Sequence, residues 1–284
     1  MTEINPAQES LRHWSVVAPA WEAYRDRLFE NLRSVSEWLV DQVDPQPGQT
    51  VLELTAGPGE TGFLAAARLG PGGRLISSDF VPAMVEAAQR GAAQRGLDNV
   101  ECRILDTQQI DLPDGSVHGV LSRFGLMLVP EQERAMGEIR RVLRPGGRCA
   151  YATWGPPDRN PWIFQLVMAL LQNGHTPPGD PFAPGGVFSL ATPERNQELA
   201  ETAGFADVTL DELTGVMRFE SPDDYWTFNT SVAGPLAELV ATLSDEQLRT
   251  VRTTLDRSLA PFTRDGELEL PWLSVVTGVS LRPR

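Results

Sequence analysis

From residue 50 to residue 154, short apolar runs alternate with stretches of helical period. Strands are expected at 51–54, 74–79, 100–105, 119–124 and 148–154, with helices at 61–69, 82–95 and 131–143. Pro82 sits in a first turn, where its missing N–H costs little. Pro145-Gly146-Gly147 is expected to close the helix at 131–143. Strands that are apolar throughout and separated by helices predict a parallel sheet covered on both faces.

The flanks are patterned differently. Residues 5–43 carry helical periodicity, and 155–190 hold one helix at 162–171 followed by a Pro/Gly-rich loop. A helix at 192–203 begins at its cap Thr192 and has Gly204 past its end. A long strand is expected at 208–219, helices at about 222–231 and 244–259, and a last strand at roughly 272–281. The expected division has N-terminal helices (1–43), a ligand-binding core (44–154) and two cap insertions (155–190 and 220–263). Residues 191–219 and 264–284 complete the sheet. Long loops of this kind often act as lids.

All 24 basic residues are Arg and the net charge is −14. An acidic chain without a basic block is a poor partner for nucleic acid, and the absence of Lys excludes a Lys Schiff base. No apolar run reaches membrane-spanning length, and the polar start lacks a signal pattern, so a cytoplasmic protein is expected. With three His, two Cys and no ligand spacing, no metal site is expected. Cys102 and Cys149 are expected to be buried free thiols.

The chemistry concentrates at residues 51–62. Gly57, Gly59 and Gly62 form G-x-G-x-x-G between a strand and a helix, and Asp79 follows Gly57 by 22 residues at the end of the second strand. Glycines allow a tight turn and close approach of a ligand, and the carboxylate can bind ribose hydroxyls. These facts alone admit both a nicotinamide dinucleotide and S-adenosylmethionine. Glu53 favours the second, because an acid near the loop suits a cationic amino group and sulfonium better than a pyrophosphate. Pro58 removes an N–H that a phosphate cradle would use. Asp106, at the end of the third strand, suits an adenine amino group.

Residues 51–59, Ser78-Asp79, Asp106, the run Asp111-Leu112-Pro113-Asp114-Gly115-Ser116 and the run Arg141-Val142-Leu143-Arg144-Pro145-Gly146-Gly147 stand in that order. Together they resemble a class I S-adenosylmethionine-dependent methyltransferase, in the small-molecule branch similar to ubiquinone/menaquinone biosynthesis methyltransferases. The resemblance is strong over about 40–155 and looser over 190–284. It implies a Rossmann-like α/β fold with a seven-stranded sheet of order 3-2-1-4-5-7-6, the last strand antiparallel, and helical cap insertions. It places Glu53, Gly57 and Gly59 at the methionine end of the cofactor and Asp79 at the ribose, with Thr61 also among the cofactor-binding residues. Phe80 and Met84 fall beside the adenine, Asp106 and Thr107 at its edge, and Ser122 at the methyl-donor pocket. Thr55, where Gly is usual, and Val117-His118, where Phe-Asp is common, depart from the pattern.

The expected activity is methyl transfer to a small organic acceptor. Because a sulfonium methyl is already electrophilic, the site needs alignment and dryness more than a catalytic group. His175 is a weak candidate base for a hydroxyl acceptor; His13 and His118 are weaker still. Arg123 could pair with an acidic acceptor. Trp21, Phe124, Met127, Trp154, Trp162, Tyr225 and Trp226 are candidates for the acceptor pocket, and with Trp14 and Phe182 the aromatics suggest an apolar one. Two other readings stay open: a nicotinamide-dependent oxidoreductase, and a protein that binds S-adenosylmethionine without methyl transfer. The expected partner is a small molecule, with neither nucleic acid nor membrane, and a homodimer is left open.

Overall fold

Residues 6–282 are described by the computed structural model. Parallel strands β1 (Thr50–Glu53), β2 (Arg74–Asp79), β3 (Val100–Ile104), β4 (Val117–Arg123) and β5 (Leu143–Trp154) are followed by β6 (Ala206–Phe219), the two-residue β7 (Thr263–Arg264) and β8 (Glu267–Ser280). The order is β3-β2-β1-β4-β5-β8-β6, with β7 paired to β8. With β7 left out of the count this is the expected order, and β8 runs antiparallel to both β5 and β6.

Helices α1 (Pro6–Ala23), α2 (Arg25–Asn31) and α3 (Arg33–Val43) precede β1. The parallel strands are bridged by α4 (Glu60–Leu69), α5 (Pro82–Gln94) and α6 (Gln132–Val142). Then come α7 (Pro161–Gln172), α8 (Pro193–Thr202), α9 (Pro222–Val232), α10 (Gly234–Ala241) and α11 (Asp245–Leu259). Side-chain caps set several starts. Thr192 accepts the Arg195 N–H, Ser221 accepts the Asp224 N–H, and Ser244 with Gln247 closes a capping box.

Three boundaries differ from the sequence expectation. α6 ends at Val142, and Pro145-Gly146-Gly147 lies within β5 rather than closing the helix. The Ala/Leu-rich α10 adds a helix between the two expected at 222–231 and 244–259, and β8 starts about five residues before the expected strand. That early start matters. β5 last pairs with β8 at Trp154 and Ser274, whereas residues 268–273 of β8 continue pairing with 214–219 of β6. Six residues of strand carry this arm roughly 20 Å past the carboxyl edge of β5. Met217, Phe219, Leu268, Leu270 and Trp272 are buried on it; α7 and α9 pack against it, and α11 packs on α7. The helices after β5 are thereby held above the edge where the parallel strands end.

Among the described residues, no helix is long and apolar enough to cross a membrane, and no group of three His, Cys, Asp or Glu could hold a metal ion. Both cysteines are free. Cys102 is only half-buried, and burial pushes the Cys149 thiol up to about 12, leaving it unreactive.

Candidate active site

The chain leaves β1 through a loop in which Thr55, Gly57 and Gly59 all have positive φ, at 53°, 54° and 91°. A side chain at Gly59 would press into the Phe63 ring, whereas one at Gly57 would meet nothing within 4 Å. The space in front of Gly57 is therefore open to a ligand. Asp79 ties the loop to β2: its Oδ2 accepts the Gly57 N–H at 2.9 Å and its Oδ1 the Val81 N–H at 3.0 Å. Burial pushes this carboxyl up to about 6, against the pull of those N–H bonds.

Glu53 sits beneath the loop rather than at its open rim. It is 2% exposed; Oε1 accepts the Gly62 N–H at 2.7 Å and Oε2 the Ser77 hydroxyl at 3.0 Å. Gly62 is required here because a side chain would run into that carboxylate. Burial pushes Glu53 up to about 7, with the two hydrogen bonds and nearby Arg123 acting in the opposite direction.

Several braces around the loop had no sequence signal. Arg25, buried on α2, donates through Nε to Glu60 at 2.6 Å and through Nη2 to the Pro58 carbonyl at 2.6 Å. Arg95 holds the other Glu60 oxygen at 2.8 Å. Arg25 lies 35 residues from Glu60, beyond the reach of any local pattern. Ser36, buried on α3, has its Oγ 3.0 Å from Thr61 Oγ1 and accepts from Arg123 Nη1 at 3.0 Å. The half-buried Arg123 thus leans toward α3 and the start of α4.

Farther along the edge, Val81 and Met84 form a small buried cluster with Ala18, flanked by Phe80, Trp14 and Trp21. Trp14 and Trp21 meet edge to face at 6.0 Å, and the Trp21 indole donates to the Val232 carbonyl at 3.0 Å. In this way α1 spans from α5 to the helices above the sheet. Asp106 is exposed and accepts the Gln108 N–H at 2.8 Å, forming a turn, while Thr107 is buried beside it. The residues present fit an adenosyl ligand. With the Gly57, Val81 and Phe80 N–H groups bound, the Asp79 carboxylate keeps acceptor capacity for a ribose hydroxyl, the loop in front is open, and Phe80 and Met84 offer an apolar shelf.

At the ends of β4 and β5 the packing becomes aromatic and largely buried. Phe124, with φ of 59°, stacks on Trp154 at 3.7 Å and 6°. Trp154 meets Trp162 edge to face at 5.1 Å, and Trp162 approaches Phe228 at 6.5 Å. Met127 lies buried next to them, its sulfur 3.5 Å from the Trp154 nitrogen. Ser122 and Thr55, with hydroxyls 2.9 Å apart, join this wall to the glycine loop. Gly125 is needed because a side chain there would collide with Thr55.

Other candidates lie elsewhere. The Tyr225 hydroxyl donates to the Trp162 carbonyl at 3.0 Å and its ring packs on Phe219. Trp226 instead lies under the Arg252 guanidinium of α11, at 4.8 Å. Phe182 is exposed. His175 follows the far end of the 12-residue α7, whose last residue is about 15 Å along the axis from Trp162, which separates it from the wall. His13 pairs with Glu238 of α10, and His118 accepts the Thr50 N–H at the opposite sheet edge.

A family profile described as a methyltransferase domain matches residues 45–174. The chain is similar to demethylmenaquinone methyltransferase of Thermus thermophilus, 31% identical over 179 residues, covering 59% of this chain and 79% of the relative. It is 37% identical over 145 residues to nocamycin O-methyltransferase of Saccharothrix syringae, covering 51% of each. Among solved structures, the YcgJ protein of Bacillus subtilis shares the fold, with a TM-score of 0.58 at 17% identity over 89% of this chain and all of that one. The chain spans 27–60% of the length of several curated relatives it matches.

Proposed function

The chain belongs to the class I S-adenosylmethionine-dependent methyltransferases, and on that premise we propose that it transfers the methyl group of S-adenosylmethionine to a small, partly apolar or aromatic organic acceptor. The observation that carries this reading is the junction of two surfaces. The Asp79–Gly57 link faces open space, and the Thr55–Ser122 contact joins that loop to the Phe124–Trp154 stack. Relatives named for demethylmenaquinone and nocamycin support an acceptor that is a small molecule. The nicotinamide alternative is disfavoured, because Pro58 offers a carbonyl instead of an N–H and that carbonyl is already bound by Arg25.

The cofactor, when bound, supplies a methyl group made electrophilic by its sulfonium. The chain's own work is to bind, align and exclude water. Asp79 holds the ribose, Phe80 and Met84 flank the adenine, and Asp106 with Thr107 meets its edge. Glu53 supplies negative charge beneath the cationic end. Phe124, Trp154 and Trp162 flank the acceptor, and α1 with α9 covers the cleft. Among the described residues no histidine joins the aromatic wall, so His13, His118 and His175 are not offered as a general base for the acceptor.

Asp79→Ala should weaken S-adenosylmethionine binding by about 1–3 kcal/mol, measured by calorimetry. An unchanged Kd in a folded variant would show that the ribose is placed wrongly. Assays with labelled methyl donor should give transfer to small, partly apolar or aromatic organic molecules. Transfer only to protein or nucleic acid would overturn the acceptor class.

A further inference from the structure

Arg123 stands out among the arginines of this region. Arg25 has Glu60, Arg27 has Asp224 and Arg141 has Glu138. Among the described residues, no carboxylate lies within ion-pair distance of Arg123, and its one hydrogen bond is to the Ser36 hydroxyl. A guanidinium has five N–H donors. A cation drawn into a cleft with most of them unused is unfavourable unless an anion arrives from outside.

Its position indicates where that anion lies. Glu53 is in register with Leu121 on β4, and Arg123 is two residues farther along that strand. Residues two apart share a sheet face, so Arg123 emerges on the face of Glu53, toward α3 and α4. Ser36 Oγ, which accepts from Arg123, is also 3.0 Å from Thr61 Oγ1 in the first turn of α4. The amino-terminal end of this ten-residue helix adds partial positive charge. Burial lowers the Arg123 pKa, while Glu53 and Glu60 act to raise it, so the guanidinium and the Glu53 carboxyl are close enough to influence each other.

S-adenosylmethionine ends in an α-amino acid, a cation and an anion on one carbon. Building on the cofactor reading above, we propose that Arg123 receives the carboxylate of that tail, with the Ser36 and Thr61 hydroxyls completing the seat and Glu53 compensating the ammonium. Arg123 is then a cofactor-binding residue that selects ligands bearing the carboxylate, rather than the recognition element for an acidic acceptor.

The test compares S-adenosylmethionine with its decarboxylated analogue, which keeps adenosine, sulfonium and amine. Wild-type protein should bind the intact cofactor more tightly. Arg123→Gln should lose roughly 10–100-fold in affinity for S-adenosylmethionine, the range of a charge-assisted pair, and little for the analogue. Should the Gln variant fail to fold, Arg123→Lys keeps a charge without the fork, and its smaller loss should again be confined to the intact cofactor. Equal losses for both ligands would mark a merely structural role. Unchanged S-adenosylmethionine affinity with a raised KM for an acidic acceptor would return Arg123 to the acceptor. Failure of wild-type protein to bind either ligand would instead remove the cofactor reading, and this inference with it.

Discussion

The rim at the ends of β1 to β3 and the wall at the ends of β4 and β5 are built from different materials. On the rim, Glu53 meets Gly62 nine residues away, and Asp79 meets Val81 and Gly57 at two and 22 residues. These bonds engage backbone N–H groups, which are directional and costly to leave unpaired when buried. The wall draws rings from residues 124, 154, 162 and 228, held by apolar burial and stacking, which tolerate repacking. A scaffold of this kind can keep one ligand constant while the other varies. The two regions meet at Thr55 and Phe124, non-glycine residues with positive φ. Such strain costs on the order of 1–3 kcal/mol and persists where surrounding contacts enforce it.

The strongest way to separate the two regions is Trp154→Ala. Loss of this buried ring should cost about 3–5 kcal/mol in denaturant unfolding while leaving S-adenosylmethionine affinity nearly unchanged in the folded fraction. A parallel loss of cofactor affinity would mean the rim depends on the wall. The rim alone should carry a pH signature. Glu53 is raised to about 7 from an ordinary 4.5, so between those values the folded state binds more protons than the unfolded one. Stability should fall as pH rises through that window, by up to roughly 3 kcal/mol, with the loss complete above it. Asp79, raised to about 6 from 3.8, contributes with the same sign at slightly lower pH. Glu53→Gln keeps an acceptor for the Gly62 N–H and should flatten most of the slope in urea midpoints between pH 5 and 8; an unaltered slope would assign it to other groups. The smallest effect probes the seam. Gly125→Ala should cost about 1–3 kcal/mol by overpacking against Thr55, and adding Thr55→Gly should recover most of that stability along with kcat. A double variant no better than Gly125→Ala would show that the two residues do not interlock.

The order of residues determined the alternation of strands and helices, the glycine turn, Asp79 opposite it and the Thr192 cap. Each depends on hydrophobic period, backbone conformation or a side chain reaching its own backbone, all of which act over a turn or a strand. The motif series extended this to the sheet order. Only the tertiary structure decided that Glu53 lies under the loop, that Arg25 braces Glu60 and Pro58, and that Ser36 draws Arg123 toward α4. It likewise separated Trp154 and Trp162, which join the wall, from Trp226, which turns to α11, and His175, stranded at the far end of α7. These contacts join residues tens of positions apart. Their partners are set by how helices settle on the sheet and on the projecting β6–β8 arm, and no local period encodes that.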